Sequence, residues 1–486
     1  MCIHTHAPRP TIPFPFASSV CHPLHFLVPI SLDPRFIVRR LVLIFVVLFS
    51  IASFAQYTDM DAIKHLGGPQ EFARRRSELS KQLKTGWTLL FARINEPEGN
   101  SYREDNDFYY FTGLQDQGAV LLMNNETGRT VIFEPLQPAR VKQVYGPNLL
   151  GLDEAGREAL GYKTVQDVAD LDLMLSRLFG EPNSPDLWVR LGFADKVDGA
   201  RPEVAFDYAE QYASPYGDPT PGDRAALKKL AERYPATHLR DLTGAIDEQR
   251  NIKTPSEIDV MRKNGKISAE GIRRAIARAK PGMYQYQVAA EARYWFAYNG
   301  AQGIAYPAIV GSGLSANTWH YFQDRDPING GDVVVFDFAA DLDHLAMDIT
   351  RTFPINGKFT PEQAKWYAVD LASQKATIAL LRPGHTYEEA EAAGKKVFDD
   401  AGVGAQWYGF PGHFVGMATH DVMLPKGPIK PGQVVTVEPI VEFADKHWHF
   451  RVEDTVLITN GDPEILSSGV VKEMAEVEKL VGSELK

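Results

Sequence analysis

The chain has 486 residues, 44% of them apolar and 23% charged, which is too long for a single core and suits two domains. That balance excludes a disordered or fibrous protein. A formal charge of -11, with no basic patch large enough to track phosphates, argues against a nucleic-acid partner.

Arg35, Arg39 and Arg40 precede an apolar run over 41–54 that closes on Ser53-Phe54-Ala55. A basic region, an apolar stretch and a small-x-Ala motif make a secretory signal, with cleavage expected after Ala55. A spanning helix needs about 20 apolar residues, so retention as a membrane anchor is the alternative. Both cysteines, Cys2 and Cys21, lie in this leader, which excludes a disulfide framework. Losing residues 1–55 removes four arginines and one aspartate and leaves a charge of -14. The expected product is an exported chain, periplasmic or extracellular.

Residues 56–243 alternate helix and strand. A charged helix is expected over 70–83, a strand over 88–92, and a hairpin from strands at 119–123 and 130–133 around an Asn-Asn-Glu-Thr-Gly turn. Helical stretches follow near 153–160 and 166–179, and the Pro/Gly-rich 214–222 reads as a loop. The second domain, 244–486, opens with Thr254 as N-cap, Pro255 at the first helical position and Glu257 completing a capping box. Thr360, Pro361 and Gln363 repeat that signal, and a third helix is expected from Thr386 to about Ala401. Between and after these helices come strand pairs, so the expected class is α+β, helices packed on one face of a curved, mostly antiparallel sheet.

Those strand pairs carry the chemistry. Asp337 ends the run Val333-Val334-Val335-Phe336, and Asp348 opens Asp-Ile-Thr-Arg-Thr-Phe. His413 lies in Gly-His-Phe-Val-Gly, Glu438 follows Val434-Val435-Thr436-Val437, and Glu453 sits in Arg-Val-Glu-Asp. Carboxylates this deep in strands are costly to bury unless something positive pairs with them. A two-residue turn at Leu342-Asp343 sets Asp337 directly opposite Asp348, and a turn at Asp445-Lys446 sets Glu438 opposite Glu453. Opposed Cβ atoms lie about 5 Å apart, and two such anionic pairs destabilise a sheet unless cations bridge them. Four carboxylates and one imidazole suit two divalent ions, with Mn²⁺ favoured and Co²⁺ or Zn²⁺ as alternatives. Ions about 3.5–4 Å apart share bridging carboxylates and a hydroxide nucleophile.

His420 follows His413 by seven residues across a glycine-containing segment, so both can reach one cleft. Arg451 precedes Glu453 by two and shares its strand face, where a bidentate clamp that orients a ligand is expected. His447, Trp448 and His449 read as loop or rim. His344 and His385 read as turn and helix-start residues, and Asp341 and Asp343 as turn formers.

The segments 331–338, 348–353, 412–416, 420–421, 437–439 and 451–454 resemble those of the pita-bread metallopeptidases, the group holding aminopeptidase P, prolidase and methionine aminopeptidase. Residues 103–113 (Arg-Glu-Asp-Asn-Asp-Phe-Tyr-Tyr-Phe-Thr-Gly) resemble the creatinase-type N-terminal domain that precedes aminopeptidase P and prolidase. The resemblance implies an α/β creatinase-like first domain before a catalytic pita-bread domain. It implies that Asp337 binds one metal, that Asp348 and Glu453 bridge both, and that His413 and Glu438 complete the other shell. Glu438 would also shuttle a proton, and His320 and His420 would contact the substrate. Two departures bear on substrate selection: Glu438-Pro439 is followed by Ile440 where the family has glycine, and the family's further histidine before His413 is replaced by Tyr408-Gly409-Phe410. The expected function is a metal-dependent Xaa-Pro aminopeptidase acting on peptides with proline second, in a homo-oligomer. The alternatives are an Xaa-Pro dipeptidase and a non-catalytic pita-bread binding protein.

Overall fold

The structure is a computed structural model that describes residues 58–93, 102–181, 183–212 and 222–484. The expected signal segment, its cleavage site and its anchor alternative lie outside the described residues, as does 214–221.

The first half is built on a six-stranded mixed sheet, in spatial order Val165–Asp167, Thr130–Glu134, Val120–Asn124, Trp87–Phe91, Leu187–Val189 and Leu239–Asp241. Val120–Asn124 runs antiparallel to both neighbours, and the outer pairings are parallel. Successive side chains on a strand point to opposite faces. Leu90, Leu121, Met123 and Ile132 accordingly join Phe72, Leu79 and Phe108 in the main core, while Leu89, Leu122, Val131 and Phe133 pack with Leu175 and Phe179 on the other side. The helix expected over 70–83 is Pro69–Leu83, and that near 153–160 is Glu154–Ala159, capped by Asp153. The stretch 166–179 corrects the sequence reading. Its first residues extend the sheet, and the Asp167 carboxylate then accepts the Ala169 N–H to open a short 3₁₀ turn. The helix begins only at Leu171.

The second half opens with helix Pro255–Arg278, whose N-terminus is closed by the expected box of Thr254 and Glu257. Helices Pro361–Ala379 and Tyr387–Asp400 start with the same reciprocal bonds. Antiparallel ladders join Ile309–Ser312, Val333–Asp337 and Thr350–Pro354, and likewise Val434–Val437, Asp454–Leu457 and Glu464–Ile465. Helices set beside these antiparallel ladders give the expected α+β class. The described residues form one compact unit.

The first hairpin turns one residue later than expected. Asp343 and His344 both take left-handed backbone angles (φ 51° and 64°), the geometry of a tight hairpin turn, and Leu342 pairs with Leu345. Asp337 therefore faces Thr350, not Asp348. The shift is an even number of residues, so Asp348 stays on the same face, diagonal to Asp337. The second hairpin keeps its expected register, with Val437 opposite Asp454 and Ile440 opposite Arg451, which sets Glu438 across from Glu453. Its turn is a wider one, Ala444–Lys446 plus a left-handed His447. His449 is no rim residue: it lies within strand Trp448–Arg451 and is 1% exposed.

Buried ions tie the two halves together. Asp107 accepts from Arg190, Arg201 and Arg250, and Arg250 also reaches Asp195 and Asp421. Lys253 meets Asp421 at 2.9 Å. Charges so deep are tolerable only when each has its partner.

Candidate metal centre

Four carboxylates reach one point from the ends of the two hairpins, and the imidazole arrives from a separate segment. Asp337 closes its strand, Glu438 follows Val434–Val437, and Glu453 precedes Asp454–Leu457. His413 is set by its backbone: Thr436 N–H donates to the His413 carbonyl and Val415 N–H to that of Val434. This requires glycine on the N-terminal side, because a Cβ at Gly412 would lie 2.1 Å from the Thr436 carbonyl oxygen.

His413 Nδ1 donates to the Phe414 carbonyl at 3.1 Å, which fixes the tautomer and turns Nε2 toward the acids. Nε2 stands 3.4 Å from Asp348 Oδ2 and 3.3 Å from Glu438 Oε1. Thr350 Oγ1 donates to Glu453 Oε2 at 2.7 Å. Tyr306 Oη and Arg451 Nη2 donate to the two oxygens of Asp337 at 2.5 and 2.7 Å. Two triads can each gather around one point, Asp337-Asp348-Glu453 and His413-Glu438-Glu453, and they share Glu453. Asp348 also groups with His413 and His420.

The electrostatics ask for cations. Burial first, and then the neighbouring Asp348 charge, pushes the Asp337 carboxyl up to about 8. Burial and the charges of Asp348, Glu438 and Asp337 raise Glu453 well above the carboxylate range. At Asp348 and Glu438 burial acts the same way, but His413 outweighs it and holds both below their usual values. Burial works against the His413 proton, yet those two acids keep the imidazole well above its ordinary range. Asp348 Oδ1 and Glu453 Oε1 are buried with no hydrogen-bond partner. Unpaired, desolvated oxygens in an oxygen-rich set fit divalent metal, which would displace the shared protons.

The flanking residues fall as follows. The His420 ring lies 4.0 Å from that of His413, and His320 lies 6.3 Å from His420, so the three imidazoles stand in a row. Arg451 meets Asp337 through one nitrogen and Thr350 through Nε at 3.2 Å. It braces a carboxylate of the centre; a two-pronged clamp is not the geometry. No local pattern marks Tyr306, Thr350 or Glu203, and His449, which reads as loop or rim in the sequence, lies buried in its strand. Glu203 comes from the first half and pairs with His420 Nδ1, a contact no local pattern announces. His449 was detectable, since the strand repeat puts it on the face of Arg451 and Glu453.

Residues 259–460 match the family described as Metallopeptidase family M24, and residues 72–188 match the Aminopeptidase P, N-terminal domain. The Xaa-Pro aminopeptidase of Escherichia coli (strain K12) is 30% identical over 456 residues, covering 85% of this chain and 97% of its own. That of Haemophilus influenzae is 27% identical over 450 residues, with coverage of 85% and 97%. Among solved structures, E. coli aminopeptidase P with the inhibitor Pro-Leu is similar at a TM-score of 0.70 and 27% identity, covering 85% of this chain and 98% of that one. The Pseudomonas aeruginosa aminopeptidase PepP gives a TM-score of 0.70 at 27% identity, with coverage of 85% and 97%.

Proposed function

From the premise that the chain belongs to metallopeptidase family M24, in its aminopeptidase P group, we propose that it is a metal-dependent Xaa-Pro aminopeptidase, releasing the N-terminal residue that precedes proline. The observation that carries this reading is the convergence of Asp337, Asp348, His413, Glu438 and Glu453 into two triads with Glu453 in common.

Those five residues would hold a pair of divalent ions, which supply Lewis acidity toward the scissile carbonyl and a water that ionises near neutral pH. The oxygen-rich donor set favours Mn²⁺ over Co²⁺ or Zn²⁺. Glu438 is the most open of the four carboxylates, its side chain 19% exposed, and is placed to take a proton from the attacking water and return it to the leaving amine. Thr350 orients Glu453, Arg451 holds Asp337, and Phe414 fixes His413. Glu203 engages His420 Nδ1 and leaves Nε2 for the cleft, where His420 and His320 can direct N–H groups at the oxygen that gains charge. A peptide partner is supported by the E. coli relative, whose structure holds Pro-Leu. Export through the N-terminal segment belongs to the same proposal and rests on sequence alone.

Peptides of the form Xaa-Pro-Xaa and dipeptides of the form Xaa-Pro separate this activity from a dipeptidase. Release of the first residue from the tripeptide is expected; turnover of the dipeptide alone would contradict it.

A further inference from the structure

The hairpin that supplies Glu438, Arg451 and Glu453 continues past the metal centre. Its next pair is Glu442 and His449, on the same face as Ile440/Arg451 and Glu438/Glu453. Glu442 is four residues beyond Glu438, about 13 Å along an extended strand. Its side chain is 33% exposed and, among the described residues, meets Asn317, Trp319 and His449. Oε2 lies 3.3 Å from Asn317 Nδ2, 3.4 Å from Trp319 Nε1 and 3.4 Å from His449 Nδ1.

None of these balances the charge. Burial pushes the His449 imidazole down to about 4, which leaves it neutral at pH 7. Both its ring nitrogens are buried without hydrogen-bond geometry to any partner, although Nδ1 points at the Glu442 carboxylate. Arg451, the nearest cation on the strand, is committed to Asp337. The His449 contact first, then the Asn317 and Trp319 N–H groups, outweigh the effect of burial and hold Glu442 below its usual value, so it is ionised. Beside it the rings of Trp319 and Tyr408 stand 5.3 Å apart at 57°, 40% and 45% exposed. A partly desolvated carboxylate with no cation paired to it among the described residues, close to two partly exposed aromatic rings, has the chemistry of a cation site.

We propose that Glu442, with Trp319 and Tyr408 as walls, is a subsite for a lysine or arginine side chain on the substrate downstream of the proline. This rests on the aminopeptidase reading and adds a specificity to it. The peptide's own ammonium lies too close to the scissile carbonyl to reach Glu442. Residues after the proline advance about 3.3–3.6 Å each, so a basic side chain on the first or second of them spans the gap.

The test compares kcat/KM for Ala-Pro-Xaa-Ala and Ala-Pro-Ala-Xaa peptides with Xaa as lysine or glutamate. The wild-type enzyme should prefer lysine at one of these positions by about tenfold, and about 0.5 M salt should compress that ratio by screening. Glu442→Gln should bring the ratio toward one, Glu442→Lys should invert it, and Trp319→Leu should reduce it. A wild-type ratio of one, or a ratio unchanged in Glu442→Gln, would overturn the subsite while first-residue release persisted. Absence of release from every peptide would instead remove the aminopeptidase reading, and the subsite with it.

Discussion

Glu453 shows how residue-level physics builds the centre. It stands in both triads, with one oxygen held by Thr350 and the other buried without a partner. The five candidate ligands were legible in the sequence because each sits against an apolar strand run or a glycine, where a charged or imidazole side chain has no structural excuse. Thr350 was not: a threonine in a strand is unremarkable until the register places it beside Glu453. Thr350→Val should weaken metal affinity and activity by roughly 10–100-fold through loss of that orienting bond, read by metal titration and by kcat/KM. Asp337 gives a pH dependence. With metal chelated, its folded value of about 8 stands above the unfolded value of about 3.9. The folded form then keeps a proton that the unfolded form has released, so the contribution is complete below about 3.9 and is lost as pH rises toward about 8. Denaturant melts of chelated wild type and Asp337→Asn should show the wild type losing stability relative to the variant over that interval; a flat difference would contradict the assignment.

Among the elements, the capped helices were the most legible, because a capping box is a local pattern with a local cause. Thr254→Ala removes the N-cap acceptor of helix Pro255–Arg278 and should lower stability by about 1 kcal/mol, measured by urea unfolding. The hairpins were legible in face but not fully in register. Asp343 and His344 accept positive φ without the glycine that would announce such a turn, so the local pattern points to a turn one residue early. Strand order in the six-stranded sheet was not readable, since no local signal states that Trp87–Phe91 pairs with Leu187–Val189. The strand at Val165–Asp167 was hidden inside a helical pattern because parallel pairing to Thr130–Glu134 outweighed the local preference.

At the scale of the whole molecule, the first half shapes the site as well as accompanying it. Glu203 reaches His420, and Asp107 and Asp195 hold Arg250, which with Lys253 anchors Asp421, the residue after His420. The pairings to His420 and Asp421 join residues some 170 to 220 positions apart and left no trace in the sequence beyond an acid here and a base there. Asp421→Asn leaves two buried cations short of a partner and should cost about 3–5 kcal/mol, seen as a lowered thermal midpoint. The central claim is that the converged acids and imidazole exist to hold metal for peptide hydrolysis. Release of the first residue from Xaa-Pro peptides, followed before chelation, after it, and with Mn²⁺ restored, tests it most directly. Release should stop on chelation and return with Mn²⁺; release indifferent to the chelator, or none from any proline peptide at any stage, would contradict it.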